Sequence, residues 1–157
     1  MKFSECRIEA RDRRLAAVHE AGHVAMAKHI GLSAPSAQLR RVPNADFLLE
    51  KRWVGSTSYL PPHLLGKDLS ELEWIMLAVS GAVAEFCWER REFDEWDWCD
   101  PDTMSASDWA LSGCKPGVPT ERFMEVTEKV FGLIDRHTGV LWPSLLKETR
   151  RLIEESR

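Results

Sequence analysis

Three residues near the start of the chain have the types and the spacing of a metal site: His19, Glu20 and His23, in the sequence HEAGH. Residues four apart on a helix point in nearly the same direction, so both imidazoles can bind one ion. Zinc binds imidazole nitrogen, and in catalytic sites it keeps three protein ligands and one water. A glutamate beside the ion can take a proton from that water as it attacks a carbonyl. The pattern therefore predicts a zinc site with His19 and His23 as metal ligands and Glu20 as the general base.

The alternative is an amphipathic helix whose polar face carries these residues by chance. The surrounding sequence, LAAVHEAGHVAMA, is otherwise almost free of polar groups. Burying a charge without a partner is costly, and a metal ion supplies such a partner. The local composition therefore favours a metal site.

Spacing alone does not determine the third protein ligand. His29 stands ten positions after His19, as in the metzincin pattern HExxHxxGxxH, but the glycine of that pattern is Met26 here. On a continuous helix His29 would lie about 240° round and about 9 Å along the axis from His23, so we expect it not to bind the same ion. The remaining candidates are Glu50, His63, Glu85 and Asp108.

Composition and length predict one globular domain spanning residues 1–157. Of the 157 residues, 44% are hydrophobic, and 21 Lys plus Arg against 25 Asp plus Glu leave a net charge of −4. Because the sequence contains no long basic stretch, we expect no nucleic-acid partner.

The sequence also predicts a cytoplasmic protein without a membrane partner. Its longest apolar run, residues 74–84, is well short of the roughly 20 residues that span a bilayer. Its charged start lacks the apolar core of a signal peptide. The four cysteines form no disulfide framework and are expected to be reduced thiols.

Apolar periodicity predicts a mainly helical α+β fold with HEAGH on its first helix, over residues 7–30. Ser70 followed by Glu73 forms a capping box ahead of a second helix that ends near Arg90. Three further helices are predicted. The first has Ser105 or Ser107 as its N-cap, the second runs from Pro119 to before Gly139, and the third has Pro143 as its first residue.

Two short stretches, SAQLRRV and VGSTSYL, have the composition of strands and predict a small sheet. Residues 43–53 between them are expected to form a turn followed by a third strand or a loop. Residues 92–102 contain six acids and two tryptophans but lack the pattern of an EF-hand. We expect a solvated loop there rather than a calcium site.

Four motifs of the chain form a recognisable series. They are HEAGH in an alanine-rich helix, GSTSYLPP about thirty residues later, SGAVAEFCWE in a helix, and MSASDWAL. In the peptidase domain of the FtsH family of zinc proteases the corresponding motifs are HEAGHA, GYT-x-Y-x-P, GGRAAEE and TGA-x-ND. Over roughly residues 15–115 the chain resembles this domain. The resemblance implies a zincin-like fold of the FtsH-peptidase type.

The resemblance implies a complete zinc site. Asp108 matches the aspartate of TGA-x-ND, which makes it the third ligand beside His19 and His23; a carboxylate oxygen suits zinc. The alternative is an aspartate that stabilises the N-terminal dipole of its helix. Glu85 matches the first glutamate of GGRAAEE and is expected either to hydrogen-bond a ligand histidine or to have no catalytic role.

The function that the resemblance implies is zinc-dependent hydrolysis of peptide bonds. We expect unfolded or small peptide substrates, because these 157 residues contain neither a phosphate-binding loop nor a membrane segment. Residues 54–60 are either an edge strand that pairs with the substrate or an ordinary hairpin strand. His63 and Tyr59 are candidates for stabilising the oxyanion, and a homo-oligomer is compatible with the resemblance. The competing interpretation is a catalytically silent zinc-binding module that acts in protein–protein interaction.

Overall fold

The computed structural model describes residues 3–33, 35–43, 51–59 and 68–157. Within these ranges the chain forms five α-helices and a two-stranded antiparallel sheet, which confirms the predicted mainly helical α+β class. In chain order the elements are α1 (Phe3–His29), β1 (Ser36–Arg41), β2 (Trp53–Ser58), α2 (Glu71–Trp88), α3 (Ala106–Ser112), α4 (Glu121–Ile134) and α5 (Trp142–Glu155).

Helix α1 is longer at its start than the predicted 7–30. It ends ahead of Gly31, whose φ of 86° is left-handed, and Leu32 N donates to Ala27 O at 2.9 Å beyond the helix end. Residues 20–27 are all buried rather than forming one apolar stripe, because α2, α5 and β2 all pack against this helix.

Helices α1 and α2 approach closely at Gly22, the fourth residue of HEAGH. A Cβ at this position would lie 2.5 Å from Ser80 O and 2.7 Å from the Cβ of Ala84. Only a residue without a side chain fits there, so Gly22 sets how closely the two helix backbones can pack.

Helix α2 begins at the capping box that the sequence predicts. Ser70 Oγ accepts from Glu73 N, and Glu73 Oε1 accepts from Ser70 N, both at 3.2 Å. The helix ends at Trp88 with Glu89 as its C-cap, which confirms the predicted end near Arg90. Residues 75–84 are buried, since α1, α3 and α4 cover this helix from different sides.

The sheet pairs β1 with β2, with Ser36 opposite Ser58 and Arg41 opposite Trp53. The predicted strands are thus present. Most of the segment between them lies outside the described residues, as do Glu50 and His63. Strand β2 packs against α1, which brings it beside the HEAGH motif.

The acidic segment 92–102 is an ordered loop with two short 3₁₀ turns, Phe93–Glu95 and Pro101–Thr103. Asp97 Oδ1 accepts from Cys99 N at 3.0 Å, and Asp100 Oδ1 accepts from Asp102 N at 2.9 Å. These two carboxylates therefore stabilise the turns of the loop itself.

The remaining helix boundaries differ slightly from the predictions. Ser105, not Ser107, caps α3, and Thr120 caps α4, which ends well before Gly139. Helix α5 begins one residue ahead of Pro143, which the first turn tolerates because its N–H groups have no intrahelical partner. In the described part of the chain no helix combines the length and hydrophobicity needed to cross a bilayer.

Candidate metal centre

His19 and His23 lie one turn apart in the buried half of α1, as predicted. Their Nε2 atoms face each other at 3.2 Å. His23 is buried, whereas 20% of the His19 side chain remains exposed, so the pair lies at the inner end of a surface opening. Helix geometry alone therefore directs two imidazole nitrogens at one point.

The other ring nitrogen of each histidine contacts helix α2. His23 Nδ1 donates to the carbonyl oxygen of Leu77 at 2.8 Å, and His19 Nδ1 lies 3.3 Å from Glu85 Oε2. The predicted contact between Glu85 and one of the histidines is therefore present. A proton fixed on Nδ1 leaves the lone pair of Nε2 available for a metal ion.

Asp108 reaches the histidines from the first turn of α3. Its Oδ2 lies 3.3 Å from His19 Nε2, and its Oδ1 lies 3.5 Å from His23 Nε2. The backbone N–H of Asp108 donates to Ser105 Oγ at 3.2 Å, so the N-cap holds this turn in place. In the alternative role, Asp108 stabilises the positive N-terminal end of the helix dipole. This role requires the same position and does not exclude binding of a metal ion.

The three side chains lie close enough together to share one metal ion. With zinc–nitrogen bonds of about 2.0–2.1 Å, two ligands at the tetrahedral angle are about 3.3 Å apart. The two Nε2 atoms are 3.2 Å apart, close to that value. Asp108 approaches the two histidines with different oxygens, and one ligand atom from each of the three residues lies within 4.8 Å of the others. In addition, Asp108 Oδ2 is buried without a hydrogen-bond donor among the described residues. A buried carboxylate oxygen without a donor is what a bound cation would satisfy.

Gly81 of α2 makes room at this point, a role that the sequence analysis missed. A Cβ on Gly81 would lie 2.5 Å from His23 Nε2 and 2.6 Å from His19 Nε2. The missing side chain therefore leaves space beside the two nitrogens that would bind the metal. The available signal was a glycine in the interior of a predicted helix, which costs about 1 kcal/mol relative to alanine and calls for a packing or functional reason.

Glu20 is buried beside the histidines and is held from strand β2. Its Oε2 accepts a short hydrogen bond from Thr57 Oγ1. Its side chain also lies against Gly55, where an added Cβ would come 2.8 Å from Glu20 Oε1. The sequence did not predict either β2 residue as a partner of Glu20, although a glycine inside a strand often marks the close approach of another group to the backbone.

The carboxylates around His19 make the centre favourable for positive charge. Burial by itself lowers the pKa of His19, but the adjacent carboxylates of Asp108 and Glu85 outweigh it and raise the pKa to about 10. Burial by itself raises the pKa of Asp108, but the two adjacent histidines bring the pKa below its usual range. A proton supplies the positive charge in the metal-free protein, and a divalent cation has the same effect.

The centre opens into a cavity of about 980 Å³. Trp53, Gly55, Thr57 and Tyr59 line one side of it, and the start of α3 lines another. His29 is exposed near the end of α1 and does not belong to the cluster formed by His19, His23 and Asp108. Glu50 and His63, the other sequence candidates, lie outside the described residues.

Neither protein-family models nor curated proteins give a match to this chain. The function of the protein must therefore be inferred from the chemistry of the centre itself.

Proposed function

We propose that this protein is a zinc-dependent metallopeptidase with a zincin-like site of the FtsH-peptidase type. The observation that carries the proposal is the convergence of His19, His23 and Asp108 beside the buried carboxylate of Glu20. Two imidazoles and one carboxylate leave a fourth position open, which distinguishes a catalytic zinc site from a structural one.

Each residue has a defined task in the proposed reaction. A bound zinc ion would lower the pKa of a water in its fourth position to about 7 and polarise a carbonyl oxygen. Glu20 takes a proton from the water as the water oxygen adds to the carbonyl carbon. Glu20 then returns the proton to the amine nitrogen as the carbon–nitrogen bond breaks. Glu85 and Leu77 O hold the two imidazoles in the orientation that exposes Nε2.

The motif series gives independent support for the same ligand set. The resemblance to the FtsH peptidase domain selects Asp108 from four sequence candidates. Asp108 is also a described carboxylate with an oxygen 3.3 Å from His19 Nε2. The resemblance and the distances are separate observations, so their agreement strengthens the proposed site.

The shape of the cavity favours an extended peptide as the substrate. Five consecutive residues of β2, residues 53–57, line the cavity, so the strand runs along it. An extended peptide can add to such a strand through backbone hydrogen bonds, with little demand on its sequence. Unfolded segments and small peptides meet this requirement.

The decisive experiment compares zinc-loaded wild type with Glu20→Gln on an unfolded, casein-like protein. We expect cleavage by the wild type and a loss of about 10²–10⁴-fold in the variant, the range that general base catalysis contributes, while zinc stays bound. Zinc bound to both proteins and cleavage by neither would contradict the peptidase proposal and favour the zinc-binding module.

The ligand set is tested separately by zinc content after dialysis. His19→Ala and His23→Ala should lose zinc, because each removes one of three protein ligands. His29→Ala is the matched control, since it removes a histidine from the same helix outside the cluster, and it should retain zinc. Loss in His29→Ala with retention in the other two would overturn the assignment.

A further inference from the structure

Strand β2 directs alternate residues towards the proposed centre. Successive side chains of a strand point to opposite faces, so Gly55 and Thr57 share one face, and Tyr59 is the first residue after the strand. The burial pattern follows this alternation, with Ser56 and Ser58 exposed and the three others partly buried. Gly55 and Thr57 contact Glu20, and Tyr59 lines the same cavity as Glu20 and the proposed metal ligands.

His63, one of the two sequence candidates for stabilising the oxyanion, lies outside the described residues, which leaves the hydroxyl group of Tyr59. Among the described residues it has no hydrogen-bond partner. Burial raises the pKa of Tyr59 above its usual range, and the negative charges of Asp108 and Glu20 raise it further. The phenol is therefore protonated at neutral pH and is a hydrogen-bond donor that faces the cavity.

A bound zinc ion would polarise the carbonyl oxygen, but none of the residues assigned above donates a hydrogen bond to it. When the water oxygen adds to the carbonyl carbon, the π electrons of the C=O bond move onto the carbonyl oxygen. Donors aimed at that developing charge are among the largest contributions in enzyme catalysis, and removing one typically costs about 10²–10³ in kcat.

We propose that Tyr59 is a catalytic residue that donates a hydrogen bond to the carbonyl oxygen of the scissile bond as that oxygen becomes negative. The inference rests on the proposed peptidase function. Glu20 and Tyr59 then act on opposite partners of the addition: Glu20 takes the proton from the water, and Tyr59 stabilises the oxygen that receives the electron pair. Tyr59 transfers no proton in this step.

The test is Tyr59→Phe, which keeps the ring and removes only the hydroxyl group. We expect kcat to fall by about 10²–10³-fold with KM changed by less than about threefold, and zinc content unchanged. A phosphinic peptide, which mimics the tetrahedral intermediate, should bind the variant more weakly by a similar factor. Equal affinity of this inhibitor for both proteins, or a wild-type kcat in the variant, would overturn the inference.

The outcomes also distinguish this inference from the proposed function. If wild type cleaves and Glu20→Gln does not, the peptidase proposal holds, and the Tyr59 results decide the present inference alone. If wild type cleaves nothing with zinc bound, both proposals fail together.

Discussion

The carboxylate of Glu20 is oriented from outside its own helix. Its backbone belongs to α1, but Thr57 of β2 donates to Oε2, and Gly55 leaves space for the side chain. A carboxylate at the end of a flexible side chain can adopt several rotamers, so a single donor strongly restricts where its oxygens point. Thr57 is therefore a positioning residue for the proposed base.

Removing the hydroxyl of Thr57 should weaken catalysis without removing the metal. We expect Thr57→Val, which keeps the branched shape, to lower kcat by about tenfold, part of the 10²–10⁴-fold that a positioned base contributes. Thr57→Ser restores the donor and should recover most of the activity. The measurement is steady-state cleavage together with zinc content, and equal kcat values for Val and Ser would contradict the assignment.

The charges at the centre also predict how the metal-free protein responds to pH. A pKa of His19 raised from 6.5 to about 10 stabilises the folded state below pH 6.5, and this stability is lost as the pH rises towards 10. The lowered pKa of Asp108 acts in the opposite sense, with stability present above pH 3.8 and lost as the pH falls.

Urea unfolding of metal-free protein at pH 6, 8 and 10 measures this dependence. We expect the free energy of unfolding of wild type to fall between pH 6 and 10, and the fall to be smaller in His19→Gln, which has no group that titrates at position 19. The difference between the two proteins isolates His19 from other groups, such as the buried Cys87 thiol, that also titrate in alkali. Parallel curves would contradict the predicted shift.

At the scale of secondary-structure elements, local signals predicted the scaffold better than the centre. The capping box of α2 and the cap of α3 depend on residues three positions apart, so they can be recognised in the sequence. The burial of residues 20–27 of α1 depends on packing by distant elements, which periodicity does not describe.

The residues of the centre also fall into those that local sequence signals predict and those that they do not. His19, Glu20 and His23 share one helical turn, so their convergence follows from the period of the helix. The prediction of Asp108 as the third ligand came from a family resemblance and not from spacing. The Thr57–Glu20 and Gly81–His23 contacts join residues far apart in the chain and depend on how β2 and α2 dock on α1.

The close approach of α2 to the histidines predicts the effect of a single methyl group. Gly81→Ala should favour the helix by up to about 1 kcal/mol in an exposed setting, but here the methyl group would meet both Nε2 atoms. We expect at least a tenfold loss of zinc affinity, because both imidazole rings must move away from the positions in which their Nε2 atoms can bind one ion.

Gly132→Ala is the matched control, since Gly132 lies in α4 with no atom within 4 Å of an added Cβ. It should leave zinc affinity unchanged and raise the free energy of unfolding by roughly 0.5–1 kcal/mol. Competition with a zinc indicator and urea unfolding measure the two effects. Wild-type zinc affinity in Gly81→Ala would show that the space beside the histidines is not used.

At the scale of the whole molecule, the centre joins parts of the chain that are otherwise connected through α2. Helix α2 packs against α1 on one side and against α3 on another. His19 and His23 belong to α1 and Asp108 belongs to α3, so a bound ion would link these two helices directly.

Zinc should therefore stabilise α3 in particular. A ligand present at about 1,000 times its dissociation constant stabilises the folded state by about 4 kcal/mol. We expect zinc to raise the melting temperature of wild type and to slow amide hydrogen exchange in residues 106–112 more than in α4. Asp108→Asn should lose most of this protection. Uniform slowing across all helices would contradict a direct link between α1 and α3.

The contact at Gly22 has a consequence for recognising such sites in other sequences. Because α1 and α2 leave no space for a Cβ there, a chain that places HExxH on this helix pair must carry glycine at the fourth motif position. Glycine makes up about 7% of residues in average proteins, so this one steric requirement would reject most chance occurrences of the motif. A search pattern that adds this glycine to HExxH is thus roughly fourteen times more selective than HExxH alone.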